Sequence, residues 1–212
     1  MGSRPAEHLE TEAKFEVGLD FALPDLDGVA EGVTVSAPQA HLLVASYFDT
    51  ADLRLAKARI TLRRRTGGPD EGWHLKLPLT EGTRRELQVP LGDEAATVPA
   101  QLASLVSAWI RDEPLQVVAV LETRRTVRIL AGRGGETLAE VADDAVTGRV
   151  LGPGDAPAEP ATWREIEVEL AAGGPEILAA AGARLRAAGA RPSSSASKLG
   201  RLLGTRAGGA AT

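Results

Sequence analysis

The chain contains no cysteine, which excludes disulfides, thiolate metal sites and cysteine nucleophiles. Any metal ion must therefore be held by carboxylates or by the three histidines, and oxygen ligands favour Mg2+ or Mn2+. No segment approaches the roughly 20 apolar residues that a membrane-spanning helix needs. The N-terminus also lacks the apolar region of a signal peptide. We therefore expect a cytoplasmic protein without a membrane partner.

The chain also lacks a basic excess, since its formal net charge is -5 over 212 residues. Proteins that bind nucleic acid usually carry such an excess, so no nucleic-acid partner is expected. Neither a GxxxxGK[ST] loop nor a GxGxxG element is present. If the protein binds phosphate groups, its side chains must do so.

Short segments that alternate apolar and polar residues predict about eight β-strands. Their predicted bounds are His8–Val17, Leu42–Phe48, Arg59–Arg65, Gly72–Pro78, Thr83–Leu91, Val117–Leu130, Thr137–Val146 and Trp163–Leu170. Helical patterns are fewer and lie at Ala51–Ala56, Ala100–Ile110, Glu176–Ala188 and Ser197–Leu203, the last with a serine hydroxyl available as its cap. The chain is thus expected to be an α+β protein dominated by strands.

The charged residues are sorted by strand face and by sign. Glu10, Glu12 and Lys14 share one face of the first strand, and three glutamates alternate with apolar residues on the last. Basic rows fall on the strands in between. Each charged face could simply meet water. However, like charges side by side on a sheet are destabilising, which favours a cation or basic partners opposite the glutamates.

A closed antiparallel barrel would bring these charged faces together around one lumen. Arginine and lysine donors could then bind a triphosphate, arginine through paired donors and lysine as a point charge. Carboxylates could hold Mg2+ or Mn2+, which would neutralise charge developing on a transferred phosphoryl group. The sequence therefore predicts a metal-dependent enzyme that acts on a triphosphate or polyphosphate.

The order of the charged motifs resembles the CYTH superfamily, also called triphosphate tunnel metalloenzymes. The ExExK strand Glu10–Lys14 opens the pattern, and a YFDT segment at Tyr47–Thr50 follows it. The later motifs, in the family's order, are LRxR with Arg63 and Arg65, WxxK with Lys76, RxE with Arg84 and Glu86, a basic strand at Thr123–Arg128, ExxxD with Glu140 and Asp144, ExExE at Glu165–Glu169, and Ser197–Lys198.

This resemblance implies a role for each matching residue. The expected metal ligands are Glu10, Glu12, Asp144, Glu165, Glu167 and Glu169. The expected substrate-binding residues are Lys14, Arg63, Arg65, Lys76, Arg84, Arg124, Arg128 and Lys198. The attacking group is expected to be water, and the residues expected to act on it are Lys14, Lys76 and Glu167.

Two of these placements have alternatives, and one further residue is a candidate. Val127 and Ile129 suggest that the odd positions of their strand are apolar and outward, which favours Arg124 over Arg125 in the lumen. Lys198 could reach the lumen or lie on a helix surface. His74, next to Lys76 on the charged face, is a candidate phosphate contact.

The resemblance implies, as the leading function, an inorganic triphosphatase that releases orthophosphate from tripolyphosphate, and the aromatic content of 3% favours a small substrate. The alternatives are a class IV-like adenylate cyclase, a thiamine or nucleoside triphosphatase, and a non-catalytic polyphosphate-binding module. We expect one domain over residues 1–206, a disordered tail at 207–212, and a monomer or homodimer.

Overall fold

Eight antiparallel strands close into a barrel in the computed structural model, which describes residues 5–80, 82–92, 97–151 and 159–204. These strands are β1 (Ala6–Val17), β3 (Gln39–Asp49), β4 (Thr61–Thr66), β5 (Gly72–Thr80), β6 (Thr83–Val89), β7 (Gln116–Ala131), β8 (Thr137–Val150) and β9 (Ala161–Leu170). Their order around the barrel is β1-β6-β5-β4-β3-β7-β8-β9, and β1 pairs with both β6 and β9. The predicted β-dominated barrel is therefore confirmed.

Strand β1 closes the barrel by using its two halves differently. Residues 6–11 pair with β6, and residues 12–17 pair with β9. The turn between β4 and β5 requires a glycine at Gly67, whose φ is +79° and whose added Cβ would lie 2.1 Å from the Leu42 carbonyl oxygen.

The remaining elements lie outside or at the end of the barrel. Two short strands, β2 (Thr34–Val35) and β10 (Arg191–Pro192), pair with β7 and β1 and were not predicted. The helices are α1 (Arg54–Lys57), α2 (Ala100–Ile110), α3 (Pro175–Ala187) and α4 (Lys198–Leu203), each overlapping a predicted helix.

Apolar packing covers two sides of the barrel. On one side Phe15, Ile166 and Val168 meet Ile177, Ala181 and Leu185 of α3, while Leu130 meets Leu26 and Val33 of the segment before β3. On the other side, Leu62, Trp73 and Leu75 pack against Leu55 of α1 and against Leu102 and Val106 of α2. Burial of these side chains, at roughly 1.5–3 kcal/mol each, holds the helices against the sheet.

Helix α4 closes one end of the barrel. Its Leu199 and Leu203 pack with Leu121, Val146 and Trp163, which lie on the same strand faces as the charged residues. The helix begins at a capped residue, because the Ser197 hydroxyl accepts a hydrogen bond from the Gly200 backbone N–H at 3.0 Å. The charged part of the interior therefore lies beyond this apolar end.

The tail predicted at residues 207–212 lies outside the described residues. Among the helices of the described ranges, none has the length and hydropathy needed to cross a bilayer.

Candidate active site

The charged strand faces converge on one cavity of about 330 Å3 inside the barrel. Its charged lining residues are Glu10, Lys14, Arg63, Arg65, Asp70, Lys76, Arg84, Glu86, Arg125, Glu140, Glu167, Glu169 and Lys198. The alternative in which each charged face meets bulk water therefore fails for these strands. The cavity instead brings acidic residues of β1, β8 and β9 together with basic residues of β4, β5 and β6, as the sign sorting indicated.

Three acidic residues form what we call the Lys198 cluster: Asp144, Glu165 and Glu167. One oxygen from each lies within 4.8 Å of the others, so together they could hold a metal ion. The strand register explains this proximity, because Asp144 on β8 is directly opposite Glu165 on β9. Lys198 Nζ lies 2.8 Å from an oxygen of each of the three residues. Burial opposes the charge of Lys198, but these carboxylates outweigh it and raise its pKa above the ordinary value.

Arg125, not Arg124, faces this cluster, which corrects the sequence-based placement. Arg125 donates to Asp144 through Nε at 2.8 Å and Nη2 at 2.7 Å, and Nη2 also donates to Glu167 at 2.8 Å. Arg124 is exposed and lies on the other face of β7. The prediction failed because Val127 and Ile129 line the cavity themselves, so apolar residues on β7 do not mark the outer face.

Arg128 shares the outer face of β7 with Arg124, so its predicted position in the lumen is also wrong. It is opposite Val141, a residue of the apolar cluster beneath α3. The described part of the cavity wall takes Arg125, Val127 and Ile129 from this strand and neither Arg124 nor Arg128.

A second set of acidic residues, which we call the Glu12 group, consists of Glu10, Glu12 and Glu169. Glu12 on β1 is opposite Glu169 on β9, which is opposite Glu140 on β8. Burial raises the pKa of Glu169 to about 7, with Glu10, Glu12 and Glu167 adding to the effect and Lys76 opposing it. Burial also raises the pKa of Glu12 despite the opposing Lys14 ammonium. Glu10 differs, because burial would raise its pKa but Lys76 outweighs burial and lowers it.

The Glu12 group fits a divalent cation by its chemistry. Glu12 Oε1 is buried and accepts no hydrogen bond from the described residues. The atoms that the Glu12 group could offer as metal ligands are all carboxylate oxygens, which Mg2+ and Mn2+ prefer. Two lysines adjoin it: Lys76 Nζ is 2.5 Å from Glu10 Oε2, and Lys14 Nζ is 3.0 Å from Glu12 Oε2.

Lys14 links the two acidic groups. Its ammonium contacts Glu12 of one group and Glu167 of the other. Burial would lower its pKa, but Glu167 and Glu12 outweigh burial and raise it. Glu167 has the opposite balance, because Lys14, Lys198 and Arg125 overcome the effect of burial and lower its pKa well below the ordinary value.

The basic wall lies on β4, β5 and β6, as expected. Arg63, Arg65, Lys76 and Arg84 all line the cavity. The Nε donors of Arg63 and Arg65 are buried and have no hydrogen-bond acceptor among the described residues. Burial and the neighbouring Arg63 and Arg125 lower the pKa of Arg65 to about 9, which reflects crowded positive charge. Such donors are suited to an anionic ligand.

His74, the candidate phosphate contact, hydrogen-bonds instead to residues of the cavity wall. Its Nδ1 lies 2.6 Å from Glu86 Oε1, and its Nε2 lies 2.9 Å from the Asp70 carbonyl oxygen. Both ring nitrogens are therefore engaged, and neither is free to bind phosphate. Burial, together with Arg63 and Arg65, lowers its pKa to about 4 in spite of Glu86.

Glu86, Tyr47 and Asp70 were not among the predicted site residues. Glu86 contacts His74, His8 and Lys76, while Asp70 pairs with Arg65. The alternation of β6 already placed Glu86 on the charged face, whereas Asp70 comes from a turn and has no such signal. At the end of β3, the Asp49 carboxylate accepts hydrogen bonds from the backbone N–H groups of Thr50, Leu55 and Ala56 and so organises a turn.

A barrel with opposed acidic and basic walls defines the class of protein, and comparison with known families agrees. The chain belongs to the CYTH domain family, whose model matches residues 8–202. The resemblance inferred from the motifs is thus confirmed.

Two relatives from Mycobacterium tuberculosis are each 44% identical over 211 residues: uncharacterized protein Rv2226 of strain H37Rv and uncharacterized protein MT2285 of strain CDC 1551. The match covers 95% of this chain and 41% of each relative. The chain therefore spans about two fifths of the length of these relatives.

Solved structures share the fold. A Bacillus halodurans protein, bh2851, described as a candidate adenylate cyclase, has a TM-score of 0.61 and 20% identity over 92% of this chain and 98% of that one. The PH1819 protein of Pyrococcus horikoshii has a TM-score of 0.50 and 16% identity, again over 92% and 98% of the two chains. At these identities the likeness shows the fold alone.

Proposed function

We propose that this CYTH domain is a metal-dependent triphosphatase that hydrolyses inorganic tripolyphosphate. The observation that carries the proposal is the presence of unsatisfied groups of both signs at one cavity. Among the residues described, Arg63 and Arg65 line the cavity with buried Nε donors that lack acceptors, and a buried oxygen of Glu12, which contacts the lining residue Lys14, lacks a donor. A polyphosphate with its divalent cation would satisfy both kinds of group.

The cavity favours a small, highly charged substrate. Its volume of about 330 Å3 lies near the lower end of ligand pockets, which run from about 300 to 1,000 Å3. Tyr47 is the one phenyl or indole side chain among the described lining residues, and it hydrogen-bonds Arg63. The described lining therefore offers little surface on which a nucleobase or thiamine ring could stack.

The chain's own residues would bind and orient the reactants. Arg63, Arg65, Arg84 and Arg125 would hold the phosphate oxygens. Lys14 and Lys76 would orient the attacking water and the terminal phosphoryl group, and Glu167 would position Lys14 through their ion pair. Its three cation contacts make Glu167 a weak base, so positioning suits it better than proton abstraction.

The lumen carboxylates would hold Mg2+ or Mn2+, which would neutralise charge on the phosphate oxygens. The reaction would join the water oxygen to the terminal phosphorus and break the bond to the bridging oxygen. Pyrophosphate keeps that oxygen, and orthophosphate and the proton of the water are released.

A second candidate is an organic triphosphatase or adenylate cyclase. The observation that favours it is the apolar part of the cavity wall formed by Leu43, Val127 and Ile129, which could contact an organic group. The description of the Bacillus halodurans structure as a candidate adenylate cyclase belongs to the same alternative.

A substrate panel separates these functions. Purified protein is incubated with tripolyphosphate, ATP or thiamine triphosphate and with Mg2+ or Mn2+, and orthophosphate, pyrophosphate and cyclic AMP are measured. We expect orthophosphate and pyrophosphate from tripolyphosphate only in the presence of metal, and no turnover by Glu10→Gln. Cyclic AMP from ATP would support the cyclase instead. Tight tripolyphosphate binding without product would indicate a binding module, and absence of both binding and turnover would reject the proposal.

A further inference from the structure

The Lys198 cluster has the composition of a metal site, yet a side chain already supplies its cation. Lys198 Nζ lies 2.8 Å from Asp144 Oδ2, from Glu165 Oε1 and from Glu167 Oε1. A lysine ammonium has three N–H donors and no acceptor. Three carboxylate oxygens at 2.8 Å match these donors in number, although Glu165 Oε1 has no hydrogen bond among the described residues.

The charges of this cluster also balance. Three carboxylates contact three cations: Lys198, Arg125 through its paired bonds to Asp144, and Lys14 through Glu167. A buried ion pair that loses one partner leaves an uncompensated charge in a medium of low polarity, which is strongly unfavourable. A divalent ion that entered here would have to expel Lys198 and leave a buried ammonium without partners.

Helix α4 holds Lys198 in place. The Ser197 hydroxyl caps the helix immediately before it, and Leu199 directly after it is buried. The Arg201 guanidinium lies 5.4 Å from the centre of the Trp163 ring, which adds a cation–π contact to the barrel end. The Lys198 backbone is thus attached to the barrel on both sides of the residue.

The Glu12 group differs from the Lys198 cluster in the ion pairs that its carboxylates make. Within the described ranges, Glu169 has no ion pair to any lysine, arginine or histidine within 4.0 Å. Glu12 contacts Lys14 through Oε2 at 3.0 Å and Arg84 through Oε1 at 3.8 Å. In the part of the chain that the structure describes, Glu169 is therefore the one carboxylate of the two groups without an ion pair, and a metal ion held by the Glu12 group would supply the positive charge that Glu169 lacks.

We infer that Lys198 is the resident cation of Asp144, Glu165 and Glu167, and that it excludes divalent metal from these three carboxylates. The inference rests on the proposed function only in its assumption that the lumen binds a metal ion. This inference reduces the expected metal ligands from six acidic residues to the three of the Glu12 group. It also reassigns Lys198 from substrate binding to charge compensation.

The test counts bound Mn2+ by electron paramagnetic resonance in the absence of any triphosphate. Lys198→Met should bind one Mn2+ per chain more than the wild type, because it vacates the cluster. Adding Glu165→Gln to Lys198→Met should remove that extra ion. The matched variant Lys198→Arg keeps the positive charge and should gain no ion, and Glu165→Gln alone should bind as many ions as the wild type.

Two results would overturn the inference. One is the loss of an ion from the wild type on Glu165→Gln, which would mean that metal already binds to the cluster. The other is a folded Lys198→Met protein, judged by circular dichroism, that gains no ion. If Lys198→Met folds only with Mn2+, the rise in Tm with Mn2+ supports the inference. If it does not fold at all, the wild type and Glu165→Gln decide the matter.

Failure of this inference and failure of the proposed function give different results. Ion counting uses no substrate, so a protein without triphosphatase activity can still show the extra ion. Conversely, if the protein is an active triphosphatase but loses an ion on Glu165→Gln, the proposed function stands and the role inferred for Lys198 is rejected.

Discussion

The two acidic groups of the barrel are built from the same residue types but are stabilised in different ways. In the Lys198 cluster, each carboxylate contacts a lysine or arginine that the chain supplies. Each group has a buried carboxylate oxygen without a hydrogen bond among the described residues, Glu165 Oε1 in the Lys198 cluster and Glu12 Oε1 in the Glu12 group. Glu169 of the Glu12 group has no ion pair among those residues, and its pKa is raised to about 7. The comparison teaches that the cations near a row of glutamates decide how far the chain itself compensates their charge.

The largest effect is expected where the Glu12 group is weakened. Glu12→Gln keeps the size of the side chain but removes a negative charge from the proposed metal site. Metal-dependent orthophosphate release from tripolyphosphate should fall by about 100-fold or more, as expected when about 3 kcal/mol of metal-assisted stabilisation is lost. The thermal midpoint should stay near that of the wild type. Unchanged turnover at saturating Mg2+ would contradict the assignment of this group to metal binding.

In the Lys198 cluster, a large effect is expected on the free energy of unfolding rather than on turnover. Arg125→Met leaves the buried Asp144 without its paired donors, so the free energy of unfolding should fall by about 3 kcal/mol. Urea denaturation measures the change. Arg124→Met is the matched control, because the adjacent residue is exposed and should alter stability by no more than about 0.5 kcal/mol. Equal effects of the two variants would refute the placement of Arg125 in the cavity.

The smallest effect concerns pH in metal-free buffer. The pKa of Glu169 is about 7 in the folded protein against an ordinary value of 4.5, so the folded state binds more protons between these values. The free energy of unfolding should therefore be highest below pH 4.5 for this group and fall as the pH rises through 7. Comparison of urea unfolding at pH 5 and pH 8 should show a loss of roughly 2.5 kcal/mol that Glu169→Gln reduces. An identical loss in that variant would remove Glu169 as its cause.

Much of the fold was predictable because alternation of residues is a local property. On β9, glutamates alternate with Ile166, Val168 and Leu170, and the two sets do face the lumen and the core beneath α3. The serine cap of α4 was likewise visible from neighbouring residues.

On strand β7, the alternation of residues did not predict which face lies inward. Its apolar residues lie on both faces: Val127 and Ile129 line the cavity, while Leu130 packs beneath the segment before β3. Alternation therefore gave the period of β7 but not its direction, and the choice between Arg124 and Arg125 came out wrong. The short strands β2 and β10 were missed for a related reason, since two residues cannot show a period.

The sequence by itself determined the eight strands, the separation of charge on their faces and membership in a family of charged barrels, because these depend on residues close together in the chain. Only the tertiary structure decided which carboxylates meet which cations, because Lys14, Asp144, Glu167 and Lys198 come from elements far apart in sequence. Barrel closure and the seating of α4 bring them within a few ångströms of one another. The energy of a buried charge depends on such distances.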